Sequence, residues 1–372
     1  MSFRRFLYLV ADDCVERSYS LRRVDMSRFF RPLWEGAPTP LDSSGGAGAT
    51  DPSAVEDAGR LPEPTISFSP PRLEQDSRSG LIDFLLFKNK GRDGESLQVV
   101  SMDHTGRALL CDPSLHPECL QLPMVRPKLA PFSLTVGSSL YVMDAFPEPP
   151  NGSEYHSFEA LSCSHRNSDI YKEWYWHTLQ PPPYVYGRRS PSHYIESYAV
   201  VAGTNILMSN MAKHTYCFDT AKTEWRKVGD WPMPFSLLAE YVPKHKLWFG
   251  LSSMGDGHSF LAANLMPPSD SEEMSPPVVH GSWMEYVQPP PEWSLVRSQV
   301  VHLGCSKFCI IRFFEIGQLN VCSDTGKTFK VEEELQVVLT GVEVASCDQE
   351  LSVFKHKSER YKLNLENDYW VL

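Results

Sequence analysis

The sequence predicts an all-β protein, a kelch-like β-propeller of about six four-stranded blades. Short apolar runs separated by turn residues recur along the whole chain, with no helical period between them. The 372 residues include 30 prolines, which break helix interiors but suit loops and strand ends. Strands that end on a proline recur at intervals of 58, 51 and 57 residues, and a period of about 50 is typical of kelch-type repeats. These prolines are Pro123, Pro181, Pro232 and Pro289.

Residues 215–252 carry the clearest copy of this repeat. Tyr216 lies in one apolar run and Trp225 in the next, on either side of a short polar stretch, which predicts a β-hairpin. Pro232 has no N–H to donate to a β-ladder, so it is not expected inside a central strand. A second hairpin follows it. A Trp stands a few residues before three of the four prolines. Trp225 and Trp283 are interpreted as packing between adjacent blades.

The remaining strands follow the same reasoning, and residues 103–106 are predicted as a hairpin turn because Asp and Gly favour turns. The predicted strand regions are 3–10, 18–26, 82–87, 97–103, 107–112, 119–123, 134–144, 158–164, 174–183, 196–209, 239–252, 260–265, 283–291, 298–316, 339–346, 350–357 and 360–366.

Three segments are predicted from the change in composition. Residues 1–34 supply strands that join the propeller, and residues 65–372 form its body. Residues 35–64 are predicted to be a disordered insertion, because Gly, Ala, Pro, Ser, Thr and Asp give this segment almost nothing to bury.

The ends of the chain are expected to close the ring. Closure removes the unpaired edges that strands otherwise expose. We therefore expect residues 6–10 or 19–24 to share a blade with strands near 342–357. Six blades is the count that the sequence favours, and five and seven stay open.

The net charge, the cysteines and the N-terminal residues indicate which partners and which cellular compartment to expect. The net charge of −11 argues against a general nucleic-acid surface. The nine cysteines form no tight framework and are interpreted as reduced thiols, several of them in the core, of a cytoplasmic or nuclear protein. The N-terminal apolar run is six residues long, too short for a signal peptide or a membrane span. We expect a monomer that binds no membrane and no nucleic acid.

No catalytic motif is recognisable. The sequence has no P-loop, dinucleotide fingerprint or nucleophile elbow. Cys305 and Cys309 lie four residues apart in one strand, roughly 13 Å, which is too far to share a metal, so they are interpreted as buried thiols. Tyr216 and Cys217 are adjacent and should point to opposite faces, which argues against a copper site with a Tyr–Cys crosslink. We predict no catalytic residue, no metal site and no cofactor.

Several stretches resemble a known family. They are SFRRFLYLVAD and YSLRRVDMSRFF at the start, TYCFDT, EWRKVGDWPMPF and AEYVPKHKLWFGLS in the centre, and FKHKSERY near the end. Together they resemble an uncharacterised plant family, expanded in grasses, that is a domain of unknown function related to kelch-like propellers. The resemblance covers nearly the whole chain apart from residues 35–64. It implies a plant origin and a propeller-like fold, and it carries no known activity.

Two functions are compatible with these patterns. The first is a non-catalytic protein-interaction module, a scaffold or adaptor, with Tyr184 and Trp293 as exposed partner contacts in loops after proline runs. The second is a propeller that uses its central channel to bind a small ligand or to catalyse a reaction. The inner strands are interpreted as the apolar runs 140–143, 206–208 and 247–249, with no polar set converging on the axis. The sequence therefore favours the interaction module.

Overall fold

The computed structural model describes most of the chain, and strands dominate the described part. Its other regular elements are 3-10 helices at Met26–Phe29, Pro183–Tyr186 and Pro191–His193. The predicted all-β class is therefore confirmed. The described residues are 3–13, 18–30, 39–41, 55–71, 81–91, 94–114, 118–150, 156–165, 172–253, 258–265, 275–284, 292–321, 328–347, 350–365 and 367–372.

The strands are numbered in chain order. The N-terminal strands are β1 (Phe6–Asp13), β2 (Ser18–Asp25), β3 (Thr39–Pro40), β4 (Glu56–Arg60) and β5 (Pro64–Phe68). The next eight are β6 (Ile82–Gly91), β7 (Gly94–Asp103), β8 (Ala108–Cys111), β9 (Cys119–Gln121), β10 (Pro131–Val136), β11 (Ser139–Asp144), β12 (Phe158–His165) and β13 (Lys172–Thr178).

The second half of the chain continues the series. Its central strands are β14 (Ile195–Val201), β15 (Asn205–Asn210), β16 (Thr215–Asp219), β17 (Glu224–Gly229), β18 (Ser236–Val242), β19 (Leu247–Leu251), β20 (Phe260–Asn264) and β21 (Val278–Trp283). The last are β22 (Trp293–Gly304), β23 (Lys307–Val321), β24 (Thr328–Cys347), β25 (Glu350–Leu363) and β26 (Tyr369–Val371).

Most of these strands form four-stranded antiparallel units. Consecutive strands make unit 2 (β6–β9), unit 3 (β10–β13), unit 4 (β14–β17), unit 5 (β18–β21) and unit 6 (β22–β25). Unit 1 has the order β26-β1-β2-β5, so it combines both ends of the chain. A short parallel pairing of β14 with β18, at Ser197 to Leu237, Tyr198 to Leu238 and Ala199 to Ala239, joins units 4 and 5.

The two ends of the chain share a sheet, but not through the strands expected from the sequence. β1 pairs with β26, with Leu9 opposite Val371. The expectation of pairing with residues 342–357 was wrong, because these residues lie in β24 and β25, which pair with each other inside unit 6. The strand that does the pairing has only three residues, too few to give a periodic signal.

The predicted insertion at residues 35–64 is wrong in part. Within it, β3 pairs with β25 opposite Phe354, and β4 pairs in parallel with the same strand from Glu359 to Lys362. Main-chain hydrogen bonds to an outer strand need no apolar side chains, so composition gave no sign of them. Residues 35–38 and 42–54 lie outside the described residues.

The hydrophobic core lies between the units. Each of six buried clusters joins two neighbours: units 1 and 2, 2 and 3, 3 and 4, 4 and 5, 5 and 6, and 6 and 1. Trp225 lies against the cluster between units 3 and 4, and Trp283 lies within the one between units 5 and 6. The expectation that these two rings pack between adjacent units is confirmed.

Both faces of an inner strand such as β1 are therefore buried. In β1, Leu7 and Leu9 face unit 6, whereas Tyr8 and Val10 face unit 2. Successive side chains on a strand point to opposite faces, so a strand between two apolar neighbours needs apolar residues at every position. This explains why strands such as FLYLV are continuous apolar runs.

The cysteines depart from the reduced state expected of them in one place. Cys111 of β8 and Cys119 of β9 are joined by a disulfide. Cys217 and Cys309 are buried thiols, as expected, whereas Cys305 is exposed in the turn between β22 and β23. A residue in a tight turn is exposed even when its neighbours in the strand are buried, and the turn was not recognised in the apolar run 298–316.

Candidate functional site

Each unit has two ends that differ in what they carry. In a four-stranded meander the turns after the first and third strands lie at one end, here named the turn end. The turn after the second strand lies at the opposite end together with the connection to the next unit, and this is named the connection end. The parallel pairing of β14 with β18 gives units 4 and 5 the same orientation.

The first strands of units 2 to 6 line a cavity of about 660 Å³, the turn-end cavity. Residues from the later part of each strand form its wall. They are Lys88 of β6, Thr135 of β10, Val200 of β14, Glu240 of β18 and His302 of β22.

A second cavity of about 480 Å³, the connection-end cavity, shares Leu86, Ser133 and Glu240 with the first. It is lined by earlier residues of the same strands and by β26: Asp83, Phe132, Tyr198, Leu237, Arg297 and Trp370. The first strands of all six units therefore surround one pair of adjoining cavities and run in one direction. This is a propeller-like arrangement.

A charged cluster crosses the turn-end cavity. Lys88 Nζ lies 2.5 Å from Glu240 Oε1, and His302 Nδ1 lies 3.4 Å from Glu240 Oε2. These side chains come from units 2, 5 and 6, so only the assembled fold brings them together. His302 is nearly fully buried and stacks on Phe308 at 4.7 Å between ring centroids.

The environment of Glu240 favours its charged form. Burial alone would raise the pKa of this carboxyl, but Lys88 and His302 outweigh burial and lower the pKa to about 2. The carboxylate is therefore charged over the whole neutral range and acts as a fixed acceptor between two donors. An ionised group of this kind holds its neighbours in place and does not exchange protons near pH 7.

The connection-end cavity holds a carboxyl of the opposite kind. Burial, with a smaller contribution from the charge of Asp144, raises the pKa of Asp83 to about 7. Across the same cavity, Arg297 donates to Tyr369 O (2.7 Å) and lies over the ring of Phe313. Asp83 is thus a cavity carboxyl whose charge changes near neutral pH.

Arg4 ties the start of the chain to the cavity wall. Its Nε donates to Phe6 O (2.7 Å) and its Nη2 to Leu372 O (2.6 Å). Burial lowers its pKa to about 10. The guanidinium is still charged at neutral pH, and it fixes the pairing of β1 with β26 from the cavity side.

The inner strands differ from those inferred from the sequence. The apolar runs 140–143, 206–208 and 247–249 lie in β11, β15 and β19, which are second strands. The strands that line the cavities instead carry Lys88, Glu240 and His302. The inference that no polar set converges on the axis was therefore wrong, because the counting of the repeat began one strand too late.

The family is shown by comparison with family models. The model described as "Protein of unknown function (DUF1668)" matches residues 4–361. The chain belongs to this family. The resemblance to a domain of unknown function is thereby confirmed. No curated protein matches the sequence.

Solved structures share only a weak likeness with this DUF1668 chain. They include the WD40 domain of SCAP from fission yeast (9% identity, 96% of this chain and 86% of that one covered, TM-score 0.34). The N-terminal domain of Nup159 (8%, 72% and 58%, 0.29) and BamB from Moraxella catarrhalis (8%, 70% and 81%, 0.28) are also similar. Scores this low support no inference, so the propeller-like description depends on the strand order and the cavities.

Tyr184, an expected partner contact of the DUF1668 chain, is half-buried. Its hydroxyl donates to His193 O (3.2 Å), its ring packs on Tyr216, and burial raises its pKa. The neighbouring Tyr186 is exposed. Of these two tyrosines, Tyr186 is therefore the one that the loop presents to solvent.

Trp293, the other expected contact, does not lie in a loop. It is the first residue of β22 and packs against Phe314 at 5.1 Å between ring centroids. The preceding prolines, at 289–291, lie outside the described residues. Trp293 is half-buried at the connection end, some distance along the chain from Tyr184, and nothing brings the two together.

The polar cluster had a signal that could have been recognised. Glu240 is a single charged residue in the run SLLAEYV, and His302 interrupts VVHLG shortly before the next turn. Lys88 likewise follows the run DFLLF. A lone polar residue near the end of an apolar strand, repeated in several units, indicates side chains that point away from both neighbouring units.

The described part of the chain lacks two other classes of site. It contains no group of three or more His, Cys, Asp or Glu side chains placed to hold a metal ion. Within the same residues, no helix has the length and apolar character needed to cross a membrane.

Proposed function

We propose that this DUF1668 protein is a non-catalytic protein-interaction module, a scaffold or adaptor built as a kelch-like propeller of six four-stranded blades. The six units would be the blades, and the pairing of β1 with β26 would close the ring. Six interfaces between units, including the one between unit 6 and unit 1, support this count. A kelch-like type is supported by the repeat of about 50 residues. A plant origin, a monomeric state and a cytoplasmic or nuclear location complete the proposal.

The distribution of exposed apolar side chains carries the proposal. Within the described residues, every exposed large apolar side chain that lies outside a strand is at the connection end. Leu129 is the most exposed, at 73%, and Leu81 follows at 65%. The full set is Leu81, Met124, Leu129, Tyr186, Tyr194, Met211 and Leu365. Apolar groups gathered at one end and left in water favour a protein partner, because burying them is a gain on association.

One part of this end is dense enough to anchor a partner. Met211 N–H donates to Tyr194 O (2.9 Å), so the loops before β14 and after β15 lie side by side. Tyr186 is held in the same loop region, where its hydroxyl donates to Gln180 Oε1 (2.9 Å). Tyr184 lies in the same loop and packs on Tyr216. Tyrosine anchors with fixed rings are typical of binding hot spots.

The test is affinity purification of the tagged chain from plant tissue, followed by mass spectrometry. We expect a reproducible partner that is lost with the double variant Tyr186→Ser and Met211→Ser. Val279→Ser is the matched control, because Val279 is also exposed but lies on the outer strand β21. Trp293→Ser and Tyr184→Ser test whether these two residues also contribute to partner binding. A partner retained equally by all variants, or none above background, would contradict the proposal.

A second function, the binding of a small ligand in the turn-end cavity, is favoured by the cluster of Lys88, Glu240 and His302. The cavity and the exposed apolar side chains lie at opposite ends of the units, so the two functions do not compete for one surface. The carboxylate of Glu240 stays ionised near pH 7 and has no proton to give, so its role in ligand binding would be that of a hydrogen-bond acceptor.

A further inference from the structure

The turn-end cavity has the size and the lining of a ligand site. Its volume of about 660 Å³ lies in the range of roughly 300 to 1,000 Å³ that small-molecule sites occupy. Leu86, Leu134, Leu238 and Leu265 give much of the wall an apolar character. A few polar groups within an apolar wall are what orient a small ligand.

One wall is aromatic and rigid. The rings of Tyr241 and Trp248 lie 4.5 Å apart between centroids, and both residues line the cavity. Trp248 Nε1 donates to Val200 O (2.9 Å), which fixes the indole across the boundary of units 4 and 5. Flat apolar ligands gain from such a wall, because offset stacking adds to the burial of their surface.

Opposite charges already meet in the cavity wall. Glu240 carries one negative charge, and Lys88 beside it carries one positive charge. A ligand with its own charge would add one that this partly buried pair cannot neutralise, and this is costly where water is largely excluded. Lys246 also lines the cavity but is exposed to solvent. The buried part of the site therefore disfavours ions and favours an uncharged polar group.

The polar groups of the wall offer both donors and an acceptor. Lys88 Nζ has three protons, and its side chain is about one-third exposed, so it can reach a ligand in the cavity while bonded to Glu240. His302 Nε2 is buried and has no hydrogen-bond partner among the described residues. A hydroxyl group both donates and accepts, so it can satisfy an acceptor nitrogen or carboxylate and a lysine together.

We propose that the turn-end cavity binds an uncharged, largely apolar small molecule that carries a hydroxyl group on an aromatic ring. The ring would lie against Tyr241 and Trp248, and the hydroxyl would meet Lys88, Glu240 and His302. This inference depends on the ligand-binding function proposed second and is independent of protein binding at the connection end. Failure of the partner test would therefore leave it standing.

Three matched probes test the chemical class on the wild-type chain. They are 2-naphthol, naphthalene and 2-naphthoate, which share one ring system and differ only in the polar group. We expect titration calorimetry at pH 7 to show 2-naphthol binding at least about tenfold more tightly than the other two, as one hydrogen bond to a charged group allows. Equal binding of naphthalene would overturn the role of the hydroxyl. Tighter binding of 2-naphthoate would assign the cavity to anions, and no binding by any probe would overturn the site.

Variants of the cavity lining test whether 2-naphthol binds in the turn-end cavity. Ser133→Trp should fill the cavity and abolish binding while keeping Lys88, Glu240 and His302 in the sequence, and Glu240→Gln should reduce the preference for 2-naphthol at least about threefold. Glu343→Gln is the control, because Glu343 lies on β24 and pairs with His356. Each variant is checked for an unchanged circular dichroism spectrum. Binding of 2-naphthol that survives both cavity variants would overturn the assignment, and the comparison of probes on the wild type holds even if Ser133→Trp fails to fold.

Discussion

The indole Nε1 of Trp225, on the last strand of unit 4, donates a hydrogen bond to Gln180 O (2.7 Å), just after the last strand of unit 3. Trp176 repeats this relationship one unit earlier, with Pro123 O at 3.1 Å. Each of these two Trp residues thus bonds to the main chain at, or next to, the proline that ends the preceding unit. In units 3 and 4 this bond fastens the outer edge of the unit to the chain that leaves the unit before it.

Trp225→Phe should therefore weaken the boundary between units 3 and 4. The substitution keeps a ring between the units but leaves Gln180 O without this donor, and such a bond contributes about 1 kcal/mol. We expect chemical denaturation to show a loss of that order. Tyr175→Phe, which removes an exposed hydroxyl from β13, is the control and should change the free energy of unfolding by less than about 0.5 kcal/mol. Equal losses in both variants would show that the indole donor has no special role.

Glu240→Gln should make stability less dependent on acid pH. The pKa of Glu240 is lowered on folding to about 2, so the folded state gains stability above the unfolded pKa near 4.5 and loses it as pH falls towards 2. The loss in the variant should be on the order of 3 kcal/mol at pH 7 and should shrink below pH 4.5. Urea denaturation between pH 3 and pH 7 measures it. A difference that stays constant over this range would contradict the role of the charge.

Asp83→Asn should have the opposite effect. The pKa of Asp83 is raised on folding to about 7, so the wild type loses stability as pH rises from about 4 through 7, where the folded chain must give up a proton that burial favours. Asparagine carries no such proton. The variant should be more stable than the wild type at pH 8, by up to about 4 kcal/mol, and equal to it at pH 4. A thermal midpoint that does not increase at pH 8 would refute this account.

Gly106→Ala should destabilise unit 2 because the added methyl group would clash with the main chain. Gly106 N–H closes the predicted turn by donating to Asp103 O (2.9 Å), and its φ is +86°. An added Cβ would lie 2.2 Å from Val125 O, a main-chain atom that cannot move aside easily. We expect a loss of roughly 2 to 4 kcal/mol.

Gly137→Ala separates the clash from the backbone angle. Gly137 also has a positive φ, +62°, but a Cβ there would meet no atom within 4 Å. Only the left-handed conformation is penalised, at about 1 kcal/mol. If the two alanine variants lose equal stability in urea, contact with Val125 O is not the cause.

The fold was largely predictable because many of its inner strands are buried on both faces. The run FLYLV in β1 and the prolines after the outer strands are consequences of packing between units, and both can be recognised without coordinates. Because several strands of a unit are equally apolar, the sequence does not show which of them faces the axis. Second strands such as Leu247–Leu251 are as apolar as first strands, so the counting of the repeat could not fix its phase.

The candidate site was not predictable as a site. Lys88, Glu240 and His302 are separated by more than 60 residues at each step and meet only because three first strands surround one cavity. Tyr184 and Trp293 stood out because they follow prolines, yet half of each ring is covered by neighbours that the sequence does not place beside it. The exposure of a side chain depends on how the units pack together, and a local sequence pattern gives no information about that packing.

The pairing of β1 with β26 has a consequence for how the protein is made. Residues 6–13 leave the ribosome early, but their partner at residues 369–371 is synthesised some 360 residues later. At typical translation rates of about 5 to 20 residues per second, this takes roughly 20 to 70 s. During that time one edge of β1 has no strand beside it, and an open edge invites pairing with other chains. The nascent chain should therefore depend on chaperones until β26 emerges.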